Sequence, residues 1–159
     1  MTDPNSGTYE NELSTAFRDD LFTKAQWEGR KTDWLIQWFA KFVNSSDSSV
    51  KFEVPLTLTV GGNLVSGTLI SEADYFDLLA ADFSRSFTGS VKEAAEEMIK
   101  GLQPLAVVDG EDDTYRQFVH MKNAQVFTSA SGPITTQGAL WRGKISSVEG
   151  FSLGSIISN

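Results

Sequence analysis

The residues that could do chemistry in this 159-residue chain are few and far apart. It has no cysteine, which excludes thiolate nucleophiles, disulfides and cysteine-based zinc sites. His120 is the single histidine, and no Gly-x-Ser-x-Gly sequence supplies a nucleophile for it to activate. A lone histidine in a strand is more often packed or hydrogen-bonded than a catalytic base. The sequence therefore predicts no nucleophilic enzyme.

An acidic run and a glycine pair are the two candidates for an ion or phosphate site. The run Asp109–Asp113 lacks the spaced ligands, central glycine and distal glutamate of a calcium loop. Gly61 and Gly62 lie between two predicted strands, whereas a phosphate loop leads from a strand into a helix. Two distant carboxylates could still meet in the fold, but no particular pair is indicated. We therefore predict no metal, no cofactor and no enzymatic activity.

Two groups of side chains are instead candidates for an interaction surface. Trp34, Trp38 and Phe42 recur every four residues, which gives a helix an aromatic face. This face either packs on a sheet or is partly exposed for docking. Arg142 and Lys144 are two residues apart in a predicted strand and so point to the same side of it. They either contact an acidic or phosphate-bearing partner or are ordinary solvent-facing charges.

Negative charge is concentrated in one part of the chain. The net formal charge is −8, and eleven of the 21 acidic residues, but only three of the 13 basic ones, lie between Glu72 and Asp113. Phosphate backbones are repelled by such a region, so we expect no nucleic-acid partner. No apolar stretch approaches the roughly 20 residues of a spanning helix, and residues 1–9 are polar. We expect a soluble, cytoplasmic protein with no membrane partner.

The elements that position these residues follow from the periodicity of apolar positions. Recurrence at three and four residues predicts three helices, at 33–44, 71–87 and 91–102. Alternation predicts five strands, at 51–60, 64–71, 115–127, 139–148 and 151–157. Hairpin turns are expected at 61–63 and 149–150, where glycine and polar residues cluster.

Individual positions carry more specific expectations about these elements. Ser71 begins the second helix with Asp74 in a capping box, and Ser90 caps the third. Gly67 predicts a bend or bulge in the second strand, and residues 122–124 predict a bulge in the third. The buried stripe of the third helix is predicted to be Ala94, Ala95, Met98 and Ile99.

These elements together predict an α+β fold. We expect a small five-stranded, strongly bent antiparallel sheet or a partly open Sm-like or SH3-like barrel. An N-terminal helix precedes the sheet, and a helical acidic insertion at 72–113 separates strands 2 and 3. Residues 31–159 are predicted to form a single domain. Residues 1–30 are predicted to be flexible or marginally helical, with apolar residues at helical spacing from Leu13 to Ala25.

Six short segments occur in a specific order and spacing: Leu56–Gly62, Val65–Ser71, Tyr75–Asp77, Phe118–Ala124, Trp141–Ile145 and Gly150–Gly154. In that order the chain resembles the gas vesicle accessory protein U (GvpU) family over about residues 38–157. The resemblance implies a non-enzymatic accessory protein that influences gas vesicle assembly or clustering. It also implies self-association into a homo-oligomer and contacts with gas vesicle proteins or the vesicle surface.

The predicted strand order is also similar to an Sm-like barrel, a class whose members often form rings and bind RNA. This similarity gives an alternative hypothesis, a binding module for nucleic acid or a small ligand with no link to gas vesicles. Such a module would bind through Arg142, Lys144, Lys122 and nearby aromatic residues. The inserted helices and the acidic excess fit RNA binding poorly, so we favour the gas vesicle hypothesis.

Overall fold

The computed structural model describes residues 32–45, 50–103, 116–129, 132–134 and 137–156. The predictions for residues 1–30 and for the acidic run 109–113 lie outside these residues. The described elements are α1 (Trp34–Asn44), β1 (Val54–Val60), β2 (Asn63–Ile70), α2 (Glu72–Ser84), α3 (Gly89–Lys100), β3 (Phe118–Phe127), β4 (Ala139–Lys144), a 3-10 turn (Ile145–Ser147) and β5 (Val148–Leu153).

The five strands form one sheet in the order β4-β3-β2-β1-β5, and every neighbouring pair is antiparallel. The sheet is not closed, because β4 and β5 are its two edges. Helix α1 precedes the sheet, and α2 and α3 lie between its second and third strands along the chain. The predicted α+β fold, with an N-terminal helix and a helical insertion, is therefore confirmed.

A tight turn joins β1 to β2. Val60 pairs with Asn63, and the two residues between them, Gly61 and Gly62, have φ angles of 57° and 73°. Positive φ at both central positions is the geometry of a two-residue hairpin turn whose twist matches its strands. The hairpin predicted from these glycines is confirmed.

The pairing of β2 with β3 contains the bulge that the sequence predicts. The register shifts between Ser66 and Thr68 on β2, and Asn123 on β3 has a φ of 51°. At this point Gly67 approaches the β3 backbone so closely that a Cβ atom would lie 2.8 Å from the Cα of Ala124. Glycine is therefore required for the close approach of the two strands.

The sheet buries apolar side chains on both faces. On one face α1 covers a cluster that includes Leu56, Leu58 and Met121. On the other face α2 and α3 cover a smaller cluster around Ile70 and Phe76. Alternation along each strand sends neighbouring residues to opposite faces, so adjacent residues such as Leu69 and Ile70 belong to different clusters.

The junction between the last two strands differs from the prediction. Strand β4 ends at Lys144, the chain turns at the 3-10 segment, and Glu149 and Gly150 lie inside β5. The turn predicted at Glu149-Gly150 is wrong. Ile145 enters the core, and its N–H donates a hydrogen bond to the carbonyl of Gln117 at 2.9 Å, which fixes the turn before Val148.

The starts of α2 and α3 are capped differently. Ser71 Oγ accepts a hydrogen bond from the Asp74 N–H at 3.0 Å and donates one to the Asp74 carboxylate at 2.8 Å, as predicted. The N-cap of α3 is Thr88, which makes no side-chain capping bond, so the prediction of Ser90 is wrong. Helix α3 begins two residues earlier than predicted, at Gly89, whose positive φ of 60° suits glycine.

The two helix starts can be compared with a matched pair of substitutions. Ser71→Ala removes a capping hydrogen bond and should lower the free energy of unfolding by about 1 kcal/mol. Ser90→Ala removes no cap and should change it by less than about 0.5 kcal/mol. Urea unfolding followed by circular dichroism measures both. Equal losses from the two variants would contradict the capping assignment.

Helix α3 buries fewer apolar residues than its sequence suggests. Ala95 and Ile99 are buried, but Ala94 and Met98 are exposed, so half of the predicted stripe is wrong. The helix packs along one narrow side, where Ile99 joins the cluster of α2 and Glu96 accepts a hydrogen bond from Ser84 at 2.9 Å. The spacing of apolar residues in the sequence therefore predicted the stripe, but not which of its residues face α2.

Candidate interaction surface

Helix α1 is apolar on two opposite sides. Its inner side places Ile36, Ala40 and Val43 in the core at 2% exposure or less. Its outer side carries Trp34 and Trp38, each 36% exposed, even though both rings are large and apolar. The helix packs on the sheet, as the first interpretation of the sequence has it, and Trp34 and Trp38 are nevertheless partly exposed. Docking through this face stays a prediction.

The outer aromatic rings form a continuous stack that extends beyond the helix. Trp38 stacks on Phe42 with centroids 5.3 Å apart and an interplanar angle of 13°. Phe42 in turn stacks on Phe52 at 4.6 Å and 25°. We give the name aromatic strip to these three stacked rings, Trp38, Phe42 and Phe52, together with Trp34, which lies one helical turn before Trp38 on α1. It runs along the outer side of α1 and ends just before β1.

The strip is attached to the rigid part of the fold through one further ring. Phe39 meets Trp38 edge-on at 5.2 Å and meets Phe151 of β5 edge-on at 5.7 Å. Phe39 and Phe151 both pack against the α1 core cluster. The Trp38 ring is therefore held in position by partly buried neighbours that pack on the core.

Phe52 is the member of the strip that sequence analysis missed. The predicted strand began at Lys51 and placed Phe52 on the same side as Leu56 and Leu58. In the structure β1 begins at Val54, and Phe52 lies before it and is 36% exposed. Because Phe52 continues the alternation of the β1 residues, the sequence did not show that it lies outside the strand. Its contact with Phe42 in the structure places it in the aromatic strip.

Arg142 and Lys144 lie on the opposite face of the sheet from α1. Arg142 pairs with His120 and Lys144 with Phe118 across the β3–β4 ladder. The Arg142 Nε donates a hydrogen bond to His120 Nε2 at 3.2 Å, and its guanidinium carbon lies 3.7 Å from the centre of the Phe118 ring. Lys144 is exposed. The five candidate residues therefore divide between two faces and do not form one surface.

His120 is a packed side chain beneath α2. It is 3% exposed, and its ring centre lies 4.6 Å from that of Tyr75 and 6.4 Å from that of Phe76. Burial, with the nearby charges of Arg142 and Arg116, lowers the pKa of His120 to about 4. The ring is therefore neutral at pH 7, and its Nε2 accepts a hydrogen bond from Arg142 Nε.

Acidic residues of α2 are held by bases from other parts of the chain. Glu72 accepts a hydrogen bond from Arg116 Nη1 at 3.1 Å, and Asp74 pairs with Lys51. These ion pairs tie the start of α2 to residues beside β3 and β1. Part of the acidic excess of the insertion therefore has a structural role.

Two properties of the described ranges bear on function. In residues 32–45, 50–103, 116–129, 132–134 and 137–156, no three histidine or acidic side chains lie close enough to hold a metal ion. Across the same stretches, no helix has both the length and the apolar character needed to cross a membrane.

The chain matches the model of a known family. The family model for the gas vesicle protein GvpU-like family matches residues 33–156, which run from the cap of α1 to just beyond β5 and include the whole aromatic strip. No curated protein and no solved structure matches the chain. The matched residues cover most of the sequence, and the chain therefore belongs to the GvpU-like family of gas vesicle proteins, whose role is an accessory one.

Proposed function

We propose that this protein is a non-enzymatic, cytoplasmic gas vesicle accessory protein that influences vesicle assembly or clustering. It acts by self-association into a homo-oligomer and by contacts with gas vesicle proteins or the vesicle surface. The observation that carries the proposal is the family match over residues 33–156. The protein needs no cofactor for this role, because it works through surface contacts.

The aromatic strip is the surface that we assign to the vesicle contact. Tryptophan and phenylalanine supply large contact areas at low conformational cost, and tryptophan is enriched among the residues that dominate binding energy. Trp34, Trp38 and Phe52 are each 36% exposed, and Phe42 stacks between Trp38 and Phe52, so these rings are not singly scattered surface residues. The flat stack suits a broad protein surface better than a small ligand.

The opposite face makes a weaker case for a phosphate-bearing partner. The Arg142 guanidinium is already engaged by His120 and by the Phe118 ring, so binding a phosphate would break contacts that it has. Lys144 remains exposed beside it. We keep Arg142 and Lys144 as a secondary contact for an acidic protein and do not extend the proposal to nucleic acid.

A single substitution tests the strip. Trp38→Ala removes the exposed tryptophan at the α1 end of the stack and should weaken binding to purified gas vesicles by at least about tenfold, which is a loss of about 1.4 kcal/mol. Binding is measured by co-flotation over a range of protein concentrations. Unfolding by urea confirms that the variant remains folded at the temperature of the assay.

Phe83→Ala is the matched control for this substitution. Phe83 is an aromatic residue of α2 with 44% exposure, and its ring neighbour is Phe87 at 5.6 Å. It lies on a helix that covers the other face of the sheet, so its removal should leave vesicle binding within about twofold of the wild type. If both variants bind equally well, or both lose binding equally, the assignment of the contact to the strip is wrong.

A further inference from the structure

Helix α3 carries an exposed apolar stripe. Val91 is 58% exposed, Met98 is 56% exposed, and Ala94 and Leu102 are exposed with them. We call these four residues the α3 stripe. Residues three and four apart are neighbours on one side of a helix, so the four side chains form a single ridge. We propose that the α3 stripe is a docking site for a basic amphipathic helix of a partner protein.

The stripe continues slightly beyond the helix. Helix α3 ends two residues before Leu102. The Leu102 N–H donates a hydrogen bond to the Ile99 carbonyl at 3.1 Å, so the chain makes one more turn and Leu102 follows Met98. From Val91 to Leu102 the stripe is about 16 Å long, or three helical turns. A partner helix of three turns is therefore long enough to contact the whole stripe.

The stripe is separate from the side of α3 that packs on the fold. Ala95 and Ile99 are the buried residues of α3, and Glu96 accepts a hydrogen bond from Ser84 of α2. The stripe lies next to this buried side around the helix and is not part of it. A partner can therefore contact the stripe without displacing α2.

Two carboxylates border the stripe on the side away from Ala95 and Ile99. Glu93 and Glu97 are both exposed and lie four residues apart, where like charges repel each other and destabilise a helix. Among the residues that the structure describes, neither glutamate lies within ion-pair distance of a basic side chain. A cationic side chain from a partner would relieve this repulsion. An exposed apolar patch with a polar rim is typical of a protein interaction site.

The basic residues of the insertion are few and mostly engaged elsewhere. Arg85 pairs with Asp82, and Lys100 pairs with Asp77 of α2 at 3.7 Å. They are two of only three basic residues in the stretch 72–113, which contains eleven acidic ones. The excess negative charge around the stripe attracts a cationic partner and repels an anionic surface.

The same charge disfavours a second copy of this chain as the occupant. Each copy carries a net formal charge of −8. In an antiparallel helix pair the same flank of each helix meets across the contact, so Glu93 and Glu97 of two copies would face one another. Like charges placed together in an interface select against that partner. The occupant that complements the stripe is therefore a helix of opposite charge with an apolar face, bound through helix-to-helix contacts.

Three synthetic peptides test these two requirements on the whole protein. The basic probe has about 18 residues, with leucines at helical spacing and lysines elsewhere. The acidic probe has glutamate in place of every lysine, and the scrambled probe keeps the basic composition without the helical spacing. Binding is measured by fluorescence anisotropy of the labelled peptide. The acidic and scrambled probes should bind at least about tenfold more weakly than the basic probe.

A pair of matched double variants locates the apolar contact. Val91→Gln with Met98→Gln removes the two most exposed side chains of the stripe and should weaken binding of the basic probe by at least about tenfold. Ile134→Gln with Leu153→Gln makes the same change at two exposed apolar residues elsewhere, which are 67% and 68% exposed. This control should bind within about twofold of the wild type. Urea unfolding confirms that both variants are folded.

A second matched pair tests the charged rim. Glu93→Gln with Glu97→Gln should weaken binding of the basic probe by about threefold, because exposed ion pairs contribute modestly. Glu53→Gln with Glu149→Gln changes the net charge by the same amount at the sheet, where Glu53 pairs with Lys122. This control should bind within about twofold of the wild type.

Four outcomes would overturn the inference. They are equal binding of the basic and acidic probes, no binding of the basic probe to the folded protein, equal effects of the stripe and control variants, and a wild-type dimer in sedimentation that Val91→Gln with Met98→Gln abolishes. The last outcome would place a second copy on the stripe.

This inference is independent of the proposed vesicle contact, because the α3 stripe and the aromatic strip lie on different helices. Trp38→Ala should leave binding of the basic probe within about twofold of the wild type while it weakens vesicle binding. Val91→Gln with Met98→Gln should do the reverse. Either contact can therefore fail its own test without the other.

Discussion

Gly67→Ala is expected to lower the free energy of unfolding by about 3 kcal/mol, the upper end of the usual cost of overpacking. An added Cβ would lie 2.8 Å from the Cα of Ala124 and 2.9 Å from the carbonyl oxygen of Lys122. Both atoms belong to the β3 backbone, so neither can rotate away as a side chain would. The strands must separate at the bulge that they share. Urea unfolding measures the loss.

Gly150→Ala is the matched control for this prediction. Gly150 also lies inside a strand, where it pairs with Thr59, but an added Cβ would have no heavy atom within 4 Å. Alanine is favoured over glycine in regular structure by roughly 0.5–1 kcal/mol, so this variant should be as stable as the wild type or slightly more stable. A similar loss in both variants would show that the close approach at Gly67 is not the cause.

Acid should destabilise the fold through His120. The pKa of His120 is about 4 in the folded chain, below its ordinary value of 6.5, because burial and two nearby arginines disfavour the charged ring. The unfolded chain therefore binds the proton more readily between pH 6.5 and pH 4. The free energy of unfolding falls as the pH drops through this window, by about 2 kcal/mol between pH 7 and pH 5.

The variant His120→Gln isolates this effect from the titration of carboxylates. Glutamine accepts a hydrogen bond from Arg142 but carries no titrating proton, so the difference in unfolding free energy between pH 7 and pH 5 should shrink by about 2 kcal/mol. Because the chain has one histidine, its ring resonances report its pKa directly. A midpoint near 6.5, or an unchanged pH dependence in the variant, would contradict the buried neutral ring.

Much of the fold could be predicted because local signals agreed with tertiary packing. Alternating residues identified the strands, and the glycines at 61 and 62 identified the turn by their need for positive φ. Gly67 and residues 122–124 predicted the same bulge independently from both strands. The turn after β4 was missed because it depends on the burial of Ile145, which no short sequence pattern distinguishes from an ordinary strand residue.

The candidate surface was less predictable because it depends on contacts between distant residues. The spacing of Trp34, Trp38 and Phe42 identified a helical aromatic face, but not which rings the sheet would bury. Phe52 contacts Phe42 only because the fold brings the two rings together, which the sequence pattern does not indicate. Arg142 and Lys144 were correctly placed on one side of a strand, but the contact of Arg142 with His120 could not be read from sequence.

We propose that this GvpU-like protein acts on gas vesicles by direct contact. The most direct test is to mix the purified protein with purified gas vesicles and to measure co-flotation and vesicle clustering at low and high salt. We expect saturable binding that persists at high salt, because the aromatic strip is apolar, together with increased clustering. A folded protein that neither floats with the vesicles nor changes their clustering at any salt concentration would contradict the account.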